Sequence, residues 1–470
     1  MSEAVVVGAG PNGLACAAHL AASGVPVTVI EAAAEIGGGA RSAELTVPGL
    51  LHDVCSASHP MAVAAPAMTG LDLGRHGLEW RWSEVELAHP LDGGGGAAME
   101  RSVEATAAGL GRDGRAWQRL FGAPARGFEA LVEDIMRPVL HVPRHPLRLA
   151  WFGLPTLPPA TWVARRFATA EARALYGGVA AHSFAPQGKP LGAAAVAMAM
   201  VAAGHSVGWP VARGGSGAIA AALAAVVREH GGTIETGRRV RSLAELPAAD
   251  AVVLDLAPGA VAELAGERLP ARVARAYRRY RHGPGAFKVD LAVEGGVPWQ
   301  FEPARRAATV HAAGSHEELV AAERDVNRGR MPERPFVLVG QQYLADPERS
   351  AGDLHPVWSY AHVPSGYHGD ATEAVIGQIE RFAPGLRDRI VATATRSPAE
   401  LEAENPNYVG GDIIAGANTP WQTLIRPRLA LDPYATGIPG VYICSAATPP
   451  GGGIHGMGGY NAAQSVLRQL

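Results

Sequence analysis

Residues 4–31 carry the feature that most narrows what this chain can fold into. Ala4-Val5-Val6-Val7 is a β-branched run suited to a strand buried on both faces of a parallel sheet, and Gly8-Ala9-Gly10-Pro11-Asn12-Gly13 follows it at once. Leu14–Leu20 then reads as a helix with small residues on the face that must press against the sheet, and Gly24 closes it. A second apolar run, Val25–Ile30, ends in Glu31. Strand, glycine turn, helix, strand and terminal acid are the parts of a dinucleotide-binding unit, and each has a physical task. Gly8 permits the tight turn, Gly10 lets the backbone approach a pyrophosphate, and Gly13 allows close packing of helix on sheet. The helix N-terminus that follows the turn offers free N–H groups and the positive end of a dipole, with Pro11 and Asn12 opening it. Glu31 is placed to accept ribose hydroxyls, and its charge disfavours a 2′-phosphate, hence NADP.

A hexapeptide of this kind can arise by chance in a chain with 58 glycines, so the surrounding elements carry the argument. A second glycine-rich turn, Glu35-Ile36-Gly37-Gly38-Gly39-Ala40-Arg41-Ser42, follows Glu31 and its flanking Ala32. Gly38 and Gly39 let the backbone run beside an extended cofactor, and Arg41 is placed to face its diphosphate. That extra element points to FAD rather than NAD. Near the other end, Gly440–Ser445 reads as a strand, Gly451–Gly459 as a glycine loop, and a helix is predicted from Tyr460. Ser445, Gly452, Gly453 and Ile454 are therefore expected at the flavin or its ribityl-phosphate arm, so that both ends of the chain close on one FAD.

A chain of 470 residues exceeds what one hydrophobic core usually organises. Two interleaved domains are expected: residues 1–75, 205–275 and 425–470 binding FAD, and residues 76–204 and 276–424 forming a substrate domain. From Arg75 to about Pro190 the pattern is irregular, with helices predicted over Trp117–Val139 and Arg165–Tyr176, and reads as an inserted helical cap. The amphipathic stretch Ala218–Gly231 is a further helix. Gly215-Ser216-Gly217 before it imitates a second fingerprint. Trp209 and Pro210 interrupt the strand it would need, so it reads as a flavin-facing turn or a plain helix start. Between Phe287 and Val363, alternating β-rich runs predict a separate antiparallel sheet that can wall a substrate pocket.

A net charge of −3 with dispersed arginines offers no basic field, which excludes nucleic acid as a natural partner. Cys16, Cys55 and Cys444 lie far apart, so neither a dithiol centre nor a metal site is expected, and a reducing cytoplasm fits. Met1-Ser2-Glu3 leads straight into a strand pattern without the marks of a secretory signal. The small apolar stretch Leu191–Gly204 falls short of the ~20 residues that span a bilayer and reads as a buried helix, or at most an interfacial one. Peripheral contact with a membrane is thus compatible with the sequence.

Taken together, Gly8–Gly13 with Glu31, Gly37–Ser42, His52-Asp53-Val54-Cys55-Ser56 with His59-Pro60, Gly208–Gly215, Asn405–Asp412 and Thr448–Gly456 resemble the phytoene-desaturase-type branch of the flavin-containing amine oxidoreductase superfamily. The resemblance runs nearly end to end. It implies an α/β fold: a Rossmann-type FAD-binding domain interleaved with a substrate domain of mixed or antiparallel sheet plus a helical cap. It also implies that backbone at Val240 meets the adenine. Ala447-Thr448-Pro449-Pro450-Gly451 departs from the motif that carotene desaturases of the family often carry, which argues against a carotene.

The expected activity is dehydrogenation of a small, largely apolar substrate, with reoxidation by oxygen or a quinone-like acceptor. His455, His59 and His205 are the candidate bases. A redox-neutral isomerase, an amine oxidase, or a non-catalytic prenyl- or lipid-binding chaperone on the same fold are the alternatives.

Overall fold

The computed structural model describes residues 2–470. Five parallel strands form one sheet in the order Val441–Ile443, Ala251–Leu254, Ala4–Val7, Val27–Ile30, Thr233–Glu235. Residues far apart in the chain supply neighbouring strands, so the chain leaves this sheet and re-enters it twice. Alternation sends Ala4 and Val6 to one face and Val5 and Val7 to the other. The first face is covered by helices Pro11–Ala22, Gly217–Glu229 and Met457–Leu467, the second by Pro258–Ala265 and Ala271–Arg278. Burial on both sides explains why Val and Ala fill these strands without polar alternation.

The second sheet has seven strands: Ile390–Arg396, Gly285–Glu294, Leu354–Val363, Val337–Gly340, Thr309–Ala312, Leu87–Pro90 and Gly96–Met99. Neighbours are antiparallel except Thr309–Ala312 with Leu87–Pro90, which is parallel. The sheet is therefore mixed, and wider than the antiparallel one expected between Phe287 and Val363. Its last two strands come from the segment read as a helical cap. Ala, His, Pro and Gly there carry little β-preference, and the sheet edge they pair with decides their conformation.

The rest of that segment is helical, though broken where glycine and loops intervene. Helices Gly114–Arg126 and Phe128–Ile135 replace the single predicted one, parting at Gly127. The stretch from Arg165 resolves into helix Ala170–Ala181, capped by the Thr169 hydroxyl. Ala193–Ser206 is a helix buried among these, with Trp117, Phe121 and Phe167 packed beside it. Among the described residues, no helix is long and apolar enough to cross a membrane.

A buried ionic knot ties Asp53 to the turn that carries Asp346 and Arg349. Arg349 donates to Asp53 at 2.5 Å and to Asp346 at 3.0 Å, and also to the Ala212 carbonyl at 2.7 Å. All three charged groups are sealed from solvent. Burial alone would raise the Asp53 pKa, but the Arg349 charge and the Ser216 N–H outweigh it and hold the carboxyl below its ordinary value. Replacing Arg349 with Met leaves two buried carboxylates without their cation, and should cost about 3–5 kcal/mol of stability in denaturant titrations. Because the folded-state pKa of Asp53 is depressed, its contribution is present above the unfolded value and is lost as pH falls through the folded one.

Candidate functional site

The dinucleotide turn is built as its residues dictate. Gly8 has φ +101°, a conformation side chains rarely adopt, and its N–H donates to the Ile30 carbonyl at 2.8 Å. A Cβ on Gly13 would lie 2.1 Å from the Gly8 carbonyl oxygen, so only glycine lets the helix start this close to the strand. The Glu31 carboxylate accepts the Ala9 N–H at 2.6 Å and the Ala33 N–H at 2.8 Å. Both oxygens keep a second lone pair for a ribose hydroxyl.

A cavity of about 560 Å³ lies along this turn. Gly8, Gly10, Pro11, Asn12, Glu31, Ala32, Gly38, Gly39 and Arg41 line it from the N-terminal region, Val240 from the middle, and Ser445, Gly453 and Ile454 from the C-terminal region. Gly13 stands behind the wall instead of in it. Val240 sits in the loop after strand Thr233–Glu235, not within a strand as the resemblance implied. Arg41 is held by the Gly38 carbonyl at 3.0 Å and lies 3.7 Å from Glu404. A Cβ on Gly39 would lie 2.1 Å from the Tyr408 hydroxyl, so a side chain there would push the Tyr408 ring aside. The loop Asn405–Asp412 closes the cavity. Asn407 fastens it by accepting the Ala257 N–H at 2.7 Å and donating to the Asp255 carbonyl at 3.2 Å.

One residue in this wall escaped the sequence reading. Asp255 follows strand Ala251–Leu254 and lies under the turn, where its carboxylate accepts the Gly13 N–H at 2.9 Å. A helix N-terminal donor expected to be free for phosphate is therefore already engaged. Full burial raises the Asp255 pKa to about 7, opposed by the Gly13 N–H and reinforced by the Glu31 charge.

A second cavity, of about 420 Å³, continues from the first, and Tyr408, Ile413, Gly453 and Ile454 line both. Its wall is mostly apolar, with Met136, Phe152, Val196, Trp209, Leu338, Trp358 and Tyr360 among its residues. Gly452, His455 and His59 also line it. His455 Nδ1 accepts the Met457 N–H at 3.1 Å, and burial lowers its pKa to about 4. The Ser216 hydroxyl donates to the Ser56 carbonyl at 2.5 Å, so at 2.9 Å it accepts the His59 Nε2 proton. His59 Nδ1 is left without a partner, and burial lowers this pKa to about 4 as well.

His205 does not join them. Its Nε2 accepts the Trp117 indole N–H at 2.8 Å, and Nδ1 donates to the Glu100 carbonyl at 3.0 Å. Both ring nitrogens are consumed inside the helical layer, so its role is structural. The Gly215–Gly217 turn is likewise a plain helix start, with the Ser216 N–H on Asp53 at 2.7 Å and the Gly217 N–H on Ser42 at 3.1 Å. His182, which the sequence did not single out, lines the apolar cavity and shares a hydrogen bond with His311 at 2.8 Å.

Comparison with known proteins agrees with this geometry. Residues 6–66 match the profile of the NAD(P)-binding Rossmann-like domain. Over its full length the chain is 25% identical to the mouse pyridine nucleotide-disulfide oxidoreductase domain-containing protein 2, covering 94% of that protein. Among solved structures, an oxidoreductase from Methanosarcina mazei superposes with a TM-score of 0.62 at 16% identity, over 99% of this chain and 100% of the other. Wild-type putrescine oxidase bound to putrescine superposes at 0.61 and 16%, over 100% and 98%. The fold is thus that of the flavin amine-oxidase type: a Rossmann-like parallel sheet joined to a separate mixed sheet.

Removing the Asp255 charge gives a pH test of the site. A folded pKa near 7 against an ordinary value of 3.8 means the native state holds a proton that the unfolded chain has released, so stability falls as pH rises between them. Asp255→Asn, which still accepts the Gly13 N–H, should remove that slope and gain up to about 4 kcal/mol over the parent above pH 7 in urea titrations.

Proposed function

We propose that the protein is an FAD-dependent oxidoreductase that dehydrogenates a largely apolar organic substrate. One observation carries this reading: the groove along the glycine turn opens, past Tyr408 and Ile454, into a chamber with an apolar wall. The residues present fit such a cofactor. Gly10, Gly38 and Gly39 line the groove as bare backbone, with no room for a Cβ beside Asp255, Gly10 and Tyr408 respectively, and the buried Asn12 Oδ1 has no partner within the chain. In this reading Glu31 holds the ribose, the Gly8–Gly13 turn and Arg41 the diphosphate, Val240 the adenine, and Gly452 to Ile454 the ring system. Bound there, FAD supplies a two-electron acceptor, and oxygen or a quinone-like compound completes turnover.

The remaining work falls to the chain itself. Apolar side chains exclude water and orient the substrate against the Gly452–His455 loop. His59 stays neutral at physiological pH, and its unpartnered Nδ1 is the atom that accepts the substrate proton. The resemblance to phytoene-desaturase-type enzymes supports an apolar substrate. An amine-oxidase reading has less behind it. Among the described residues, no carboxylate lines the chamber, and its one arginine, Arg426, would repel a cationic amine.

The purified protein should show oxidised-flavin absorption that bleaches anaerobically on addition of an apolar substrate from a dehydrogenation panel. Gly10→Val, which places bulk 2.7 Å from Asp255, should lower bound flavin at least roughly tenfold in acid-released cofactor assays. A colourless parent protein that takes up no FAD would sink the proposal. His59→Gln should keep its flavin and slow bleaching by roughly a hundredfold. The parent rate should be flat near neutrality and fall as pH drops through about 4, where His59 becomes protonated.

A further inference from the structure

Exposed apolar side chains on this protein are not scattered. Eleven of the fourteen large hydrophobic residues that stand exposed fall within two segments, residues 139–162 and 421–431. Leu147, Trp151 and Leu154 are 86%, 63% and 65% exposed, Trp162 is 60%, and Trp421 and Leu431 are 71% and 91%. Isolated exposed leucines need no explanation, but a concentration of leucine and tryptophan on two segments does.

Leu191 and Gly192 bridge the first segment to the approach of the second. The Leu191 N–H donates to the Leu157 carbonyl at 3.3 Å, and a Cβ on the neighbouring Gly192 would lie 3.1 Å from the Asn418 carbonyl oxygen. Both segments belong to the apolar chamber. Met136 and Phe152 line it from one side, Asn418 and Thr423 from the other. Helix Pro146–Gly153 shows the arrangement directly: Phe152 is buried against the chamber, while Leu147 and Trp151, one turn apart, stand bare.

Charge selects the occupant of this face. From Ile135 to Ala170 the chain holds Arg137, Arg144, Arg148, Arg165 and Arg166 and no acid, and from Ile413 to Leu431 it holds no acid, with Arg428 half-buried and Arg426 buried in the chamber wall. Only Arg144 has a carboxylate partner, Glu133 at 2.8 Å. A second copy of the same face would bring like charges together. An anionic lipid surface satisfies both properties, taking Trp and Leu into its acyl boundary and the arginines at its headgroups.

We infer that this face is a membrane-docking surface, through which the chamber receives its substrate from an anionic lipid bilayer without a spanning helix. The inference rests on the reading of the chamber as a site for an apolar substrate, and names where that substrate comes from.

Flotation of the flavin-loaded protein with large unilamellar vesicles tests it. Phosphatidylcholine with roughly 30 mol% phosphatidylglycerol should carry the parent protein, pure phosphatidylcholine should carry much less, and raised salt should weaken the binding. The combined change Leu147→Asp, Trp151→Asp and Leu431→Asp, all at exposed positions, should reduce partitioning at least roughly tenfold while flavin absorbance stays the same. Without any substitution, brominated phosphatidylcholine in the vesicles should quench tryptophan emission.

Parent protein that stays with the aqueous fraction, unchanged binding of the triple variant, or emission untouched by brominated lipid would each overturn the inference. So would a lipid-free dimer that the triple variant dissolves, since the face would then belong to a second copy. Bleaching by substrate dispersed in detergent separates this from the functional proposal. Bleaching without vesicle binding removes only the membrane, and vesicle binding without bleaching removes the substrate reading.

Discussion

The first and last helices of the chain touch backbone to backbone, and the functional geometry depends on that contact. A Cβ on Gly459 would lie 1.9 Å from the Asn12 carbonyl oxygen, and one on Gly458 2.6 Å from the Cys444 carbonyl oxygen. Helices Pro11–Ala22 and Met457–Leu467 can therefore approach only because glycine stands at 459, while Gly458 lets the last helix start against the strand end at Cys444. This approach sets the loop Gly452–Ile454 beside the turn Gly8–Gly13, and so makes one continuous space out of a groove and a chamber. Any side chain at Gly459 would force the helices apart and separate the two halves of the site.

Electrostatics follow from that closeness. Two carboxyls, Glu31 and Asp255, sit on either side of the glycine turn. Glu31 answers with two backbone N–H groups, while burial raises the Asp255 pKa to about 7. In the chamber the balance is different. Burial keeps His59, His182 and His455 neutral, so the wall presents ring nitrogens without presenting charge. Beside this, the buried knot of Arg349, Asp53 and Asp346 gives each of its charges a partner.

The parts readable from the sequence are those whose demands are local. Gly8 needs a positive φ, Gly13 needs contact with the strand before it, and Glu31 must end the next strand; each is settled within thirty residues. The line of the cavity from Gly38 and Gly39 to Ile454 was visible for the same reason, since glycine loops between strand and helix mark close approach. Asp255 was hidden because its position under the turn comes from sheet order, which pairs Ala251–Leu254 with Ala4–Val7 across some two hundred and forty residues. His182 was hidden likewise, its role fixed by a helix packing on the mixed sheet. Strands Leu87–Pro90 and Gly96–Met99 carry no β-pattern of their own and exist because the edge at Thr309–Ala312 accepts them. His205 misled for the opposite reason. Its place in a glycine-rich loop resembled that of His455, yet it ends helix Ala193–Ser206 and serves Trp117.

The scarcity of aromatic residues, 6% of the chain, gives the chamber its shape. Alanine and glycine dominate the helices around it, as in Ala193–Ser206, and such helices can pack closely without filling the space between them and the mixed sheet. Among the large side chains, Phe152, Trp209, Trp358 and Tyr360 frame the space instead of occupying it. A cavity bounded in this way presents shape and apolar surface first, with its neutral histidines set among apolar neighbours.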